Sequence, residues 1–216
     1  MEPLVDDAPK PRRRTAVAAL AGILVLAVAF LLVMGRNTDP TDASAEAGFA
    51  RDMATHHAQA VDMAFIARDG STDEDLRRFA YDIIVTQTAQ RGIFMGWLQQ
   101  WDLEQSSERP PMAWMAGGHG HAGSATASAK MPGMATPEEL KKLREAAGRD
   151  QEILFLQLMI RHHVGGVEMA EALLRQSDRP EVATLARHIV QGQTGEITLM
   201  TDMLRKRGAQ PLPPTR

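Results

Sequence analysis

Four histidines stand in two adjacent pairs, His56-His57 and His162-His163. Each pair has a methionine three residues before it and another six residues after it: Met53 and Met63 in the first case, Met159 and Met169 in the second. Imidazole nitrogen is a borderline donor and thioether sulfur a soft one. With no cysteine in the chain and no clustered carboxylates beside the histidines, that combination favours Cu(I) or Ag(I) over magnesium, calcium or zinc. A second group of such donors, Met112, Met115, His119, His121, Met131 and Met134, lies in a stretch rich in Gly, Ala, Ser and Pro. Both groups have a plain alternative. His56 and His162 can be hydrogen-bonded core residues with methionines filling irregular gaps, and the second stretch can be a linker. The lack of cysteine also removes thiol nucleophiles, disulfides and thiolate metal sites. No Ser/His/Asp order, Gly-rich phosphate loop or HExxH pattern is present, so the chain reads as a binding protein and not as an enzyme.

The elements that must position these residues follow from an internal repeat. Phe49 to His57 matches Phe155 to His163 at an offset of 106, and the register continues ungapped to Leu98 and Leu204 through Val61/Val167, Met63/Met169, Ile83/Ile189 and Gln87/Gln193. Each copy reads as two helices. Met53, His56, Ala60, Met63 and Ala67 recur at steps of three and four, as do Leu76, Phe79, Ile83, Gln87, Gln90, Phe94, Trp97 and Trp101 on the partner helix. Phe155, Met159, His162, Gly166, Met169 and Leu173 repeat the pattern, followed by Val182, Leu185, Ile189, Gln193, Glu196, Met200 and Met203. Ser71 to Glu74 reads as a capping box, Pro180 as a first-turn proline, and Thr136 as the cap of the third helix. The spacing predicts an all-α four-helix bundle made of two hairpins, 45–104 and 137–207, joined by a crossover at 105–136 and ending in a tail at 208–216. Antiparallel packing about each turn sets His56 level with Gln87, Met53 with Gln90, His162 with Gln193 and Met159 with Glu196, a polar and thioether layer at the bundle centre. The second histidines, His57 and His163, fall beside the seam, towards a groove or solvent. The seam donors are expected to form the tighter, preorganised site and the crossover donors a weaker, faster-exchanging one.

Residues 15–34 form an uncharged run long enough for a helix to span a hydrocarbon core of roughly 30 Å, preceded by Lys10, Arg12, Arg13 and Arg14. This predicts a cytoplasmic tail at 1–14, a single transmembrane helix at 15–34, a linker at 35–44 and an extracytoplasmic domain. Secretion after cleavage near Ala43-Ser44-Ala45 is the alternative. A net charge of -3 lacks the basic excess that nucleic-acid binding requires.

The doubled His-His-x-x-(Ala/Gly)-x-x-Met-Ala motif, each copy followed by a Gln-x-x-(Glu/Gln) helix, resembles the bacterial ferritin-like family called domain of unknown function 305 over roughly residues 45 to 207. The resemblance implies a ferritin-like four-helix bundle in the periplasm or outside the cell, and some family members resemble periplasmic copper-binding proteins that use Met and His. It points to Met53, His56, His57, Met63, Met159, His162, His163 and Met169. Gln90 departs from the pattern where the second copy has Glu196. A ferritin-type di-iron oxidase needs Glu-x-x-His on two helices, and Met53 and Met159 occupy those glutamate positions. The expected function is a membrane-anchored Cu(I) or Ag(I) binder for copper buffering, delivery or resistance, exchanging metal with a copper donor or acceptor protein. A metal-free structural or partner-binding bundle is the rival.

Overall fold

A computed structural model of the chain describes residues 21–28, 39–118 and 131–213. The chain divides into two compact units, Met1–Asp39 and Pro40–Arg216. In the first, residues 21–28 are helical, with Ile23, Leu24, Val25, Leu26 and Val28 exposed. This corrects the expected membrane anchor. No helix among the described residues is long and apolar enough to cross a membrane. The rest of the 15–34 run, and the tail before it, lie outside the described residues.

The second unit is all helical among its described residues. Helix α1 (Ala45–Gly70) starts at Ser44, whose side chain accepts from the Ala47 N–H, and stops at Ser71, whose N–H reaches back to the Ala67 carbonyl. Helix α2 (Glu74–Gln100) is capped by Asp73, which accepts from Asp75 and Leu76 N–H groups. The expected cap, Ser71, closes α1 instead and gives its hydroxyl to Glu152. Helix α3 (Pro137–Glu145) carries the expected capping box of Thr136 and Glu139. It is a short helix of its own, because the chain extends at Ala146 and Ala147 and turns at Gly148, with φ of 55°. Helix α4 (Gly148–Leu174) and helix α5 (Pro180–Lys206) complete the second hairpin, with Pro180 in the first turn where its missing N–H costs nothing.

Helix α1 packs along α2, α4 packs along α5, and the hairpins meet through α1 and α4. Two apolar cores result. One holds Met63, Leu76, Ile83, Phe155, Met159, Met200 and Leu204. The other holds Phe49, Met53, Phe94, Leu98, Met169, Leu173, Val182 and Ile189. Since the start of α1 shares a core with the end of α4, the two central helices are antiparallel. Burying each such large side chain contributes about 1.5 to 3 kcal/mol. Along every long helix the histidines and their glutamine or glutamate partners fall between the two cores, so the bundle has a polar waist.

The crossover, expected to stay out of the core, is anchored on α1 at both described ends. Met112 and Trp114 are buried, and the Asp52 carboxylate accepts from the Met112 N–H at 2.7 Å and from Trp114 Nε1 at 2.8 Å. A short 3-10 helix, Ala113–Gly118, continues from there. At the other end the Gln59 amide both donates to the Ala135 carbonyl, at 3.0 Å, and accepts from its N–H, at 2.7 Å.

Candidate metal centre

The four paired histidines are all fully buried. Of the groove or solvent expected for His57 and His163, burial excludes solvent. Each is enclosed against the second helix of its own hairpin, the His57 ring packing edge-on to Phe94 and His163 facing Glu196. The first histidines meet across the helix pair, with the His56 and His162 rings 3.7 Å apart between centroids and 32° from parallel. Within each pair the rings are 6.4 Å apart, at 50° in the first copy and 54° in the second, a near two-fold arrangement.

The hydrogen bonds follow another register than the one read from the turns. His57 Nε2 lies 2.6 Å from Gln90 Oε1, and His163 Nε2 lies 2.7 Å from Glu196 Oε2. Gln90 and Glu196 therefore serve the second histidines and not the methionine level. Gln87 and Gln193, expected to hold His56 and His162, are buried with neither amide atom bonded. His56 Nε2 instead donates to the Pro132 carbonyl at 3.0 Å. Both nitrogens of His162, and Nδ1 of His56, His57 and His163, have no hydrogen-bond partner among the described residues. Burial pushes the His56 imidazole down to about 4, opposed by its Pro132 bond. It pushes His57 down to about 3, with His56 nearby adding to the effect and the Gln90 bond opposing it. His162 is lowered well below its ordinary range by burial and then by the neighbouring imidazoles. These three rings are neutral at physiological pH, the form a metal ligand requires.

Met53 and Met169 are fully buried on one side of the waist, and Met63 and Met159 on the other. Of the crossover donors, Met112 is buried, Met115, Met131 and Met134 are half-buried, and His119 and His121 lie outside the described residues. Met131 and Met134 flank Pro132-Gly133, which rests on the waist. A Cβ at Gly165 would overlap the Pro132 carbonyl, and one at Gly133, where φ is 75°, would overlap the Arg161 carbonyl. Among the described residues no group of three or more histidines and carboxylates could hold a metal. The histidine layer alone therefore supplies no such group, and the site expected from the sequence joins it to the thioethers of Met53, Met63, Met159 and Met169. Sequence reading missed Pro132, Gln59, Gly165 and Asp52. Gln59 and Asp52 carried a signal, as polar residues opposite Gly165 and Leu158 in the other copy.

The chain is similar to several solved structures. A protein from Streptomyces coelicolor described as secreted is 46% identical, with a TM-score of 0.73, covering 80% of this chain and 99% of that one. A fragment from Deinococcus radiodurans is 34% identical, with a TM-score of 0.61, covering 75% and 96%. CopM in its Cu(I)-bound form is 27% identical, with a TM-score of 0.56, covering 74% and 96%. No curated protein matches. Residues 46–204 match the family model described as Domain of unknown function (DUF305), and the chain belongs to that family.

Proposed function

We propose that the helical domain binds monovalent copper or silver through Met and His side chains and acts outside the cytoplasm as a metal buffer or carrier, not as an enzyme. The observation that carries this reading is the waist itself. Five ring nitrogens are buried there without a hydrogen-bond partner among the described residues, between cores that contribute Met53, Met63, Met159 and Met169. Such orphans cost about 1 to 3 kcal/mol each, and a ligand that uses their lone pairs offsets that cost. A mixed imidazole and thioether set suits Cu(I) and Ag(I), which accept soft ligands at low coordination number. CopM, solved with Cu(I), with Cu(II) and with silver bound, supports the metal class, and the secreted Streptomyces coelicolor relative supports the compartment. Met131 and Met134 are assigned to the waist, and Met112, Met115, His119 and His121 to capture of incoming metal.

Anaerobic titration of the full chain with Cu(I) against a competing chelator tests the reading. Binding tighter than micromolar, weakened in the double variant His56→Leu/His162→Leu, is the expected result. Its absence would leave a metal-free structural bundle.

A further inference from the structure

An imidazole ligates a metal only through a ring nitrogen that carries no proton, and the partner of the other nitrogen decides which one that is. His163 Nε2 faces Glu196 Oε2 at 2.7 Å. A carboxylate oxygen accepts, so Nε2 holds the hydrogen, and in the neutral ring that a metal ligand requires Nδ1 holds the lone pair. His57 Nε2 faces Gln90 Oε1 at 2.6 Å, and the amide oxygen imposes the same arrangement. Both Nδ1 atoms are buried and without a partner among the described residues. The two acceptors stand 33 residues beyond their histidines in both copies, yet they are chemically unequal. A carboxylate bonded to the far nitrogen raises the basicity of the near one and locks the ring, as in carboxylate–histidine–metal arrangements. An amide oxygen polarises the ring less. It can also turn over to present its NH2 group, which would reverse the imidazole. The Glu196 side chain is 27% exposed while that of His163 is fully buried, so the carboxylate keeps water on one side and spends its bond on the ring.

Resting on the copper-binding reading, we propose that Glu196 is a positioning residue that makes His163 Nδ1 the stronger metal donor. Gln90 leaves His57 Nδ1 the weaker donor, and the two pseudo-symmetric halves bind metal unequally.

Nitrogen-15 correlation spectra of the metal-free full chain at neutral pH read each tautomer directly. His163 is expected with its hydrogen on Nε2. A hydrogen on Nδ1, or on both nitrogens, overturns the proposal. Cu(I) competition titration then compares the wild type with Glu196→Gln and Gln90→Glu, the helical circular dichroism signal serving as the folding control. Glu196→Gln should weaken the tighter binding event by about 10- to 100-fold, and Gln90→Glu should strengthen the weaker event towards it. Copper binding that neither variant changes overturns the proposal and leaves the function standing. No copper binding by the wild type overturns both.

Discussion

At the scale of single residues the waist is a set of groups that a stability-optimised core would not contain. His162 is the extreme case, with both ring nitrogens buried and unbonded. Leucine has a similar volume and no polar atom to desolvate, so His162→Leu is expected to raise the unfolding free energy by about 1 kcal/mol or more while weakening metal binding. Chemical denaturation measures the first effect and competition titration the second. A loss of stability would mean that the ring is satisfied in solution. The buried histidines also set the pH response. His56 and His57 titrate near 6.5 when unfolded but only near 4 and 3 when folded. Between those values the unfolded chain binds more protons, so stability falls as pH drops below about 6.5 and levels off once the folded values are passed. The slope is at most about 1.4 kcal/mol per pH unit for each histidine. Denaturation near pH 7.5 and near pH 5 should show the lower stability at pH 5, and equal values would contradict burial of neutral rings. In the folded chain protons compete with copper at these nitrogens only as pH falls towards about 4 and 3, well below the neutral range that a free imidazole would give.

At the scale of elements, the two copies differ where the crossover docks. Asp52 and Gln59 hold it, and their counterparts in the second copy are Leu158 and Gly165. Gly165 has no side chain because the Pro132 carbonyl occupies that space. Gly165→Ala must therefore push the Met131–Ala135 segment off the waist or bend α4, and it should cost about 1 to 3 kcal/mol in the range of overpacked sites. An alanine variant of unchanged stability would show that the segment lifts freely. The hairpins themselves were legible because seam residues recur every three or four positions and the offset of 106 repeats the pattern. The burial of the second histidines was not legible because a heptad seam counts one narrow stripe, whereas α2 and α5 also close over the next position, Phe94 packing on His57 and Glu196 meeting His163. The docked crossover was illegible for a related reason. Its anchors are isolated positions 60 and 76 residues away in the chain, and no periodicity marks them.

At the scale of the whole molecule, two apolar cores are joined through a layer that contributes little apolar burial, and the same four helices run through both. A metal bound at the waist would tie α1 to α4 at the level where they are least well held, so it stabilises the folded domain by mass action in addition to filling a site. With free metal at 100 times its dissociation constant, and no binding to the unfolded chain, that linkage amounts to about 2.7 kcal/mol. For a domain of this size it corresponds to a rise in melting temperature of about 5 to 11 °C. Thermal unfolding of the full chain with and without Ag(I), chosen because it does not change oxidation state, should show that rise as one cooperative transition. The double variant His56→Leu/His162→Leu should start from a higher melting temperature and gain much less from silver. If instead it gains as much as the wild type, the metal is held by the crossover methionines and the histidine layer is structural.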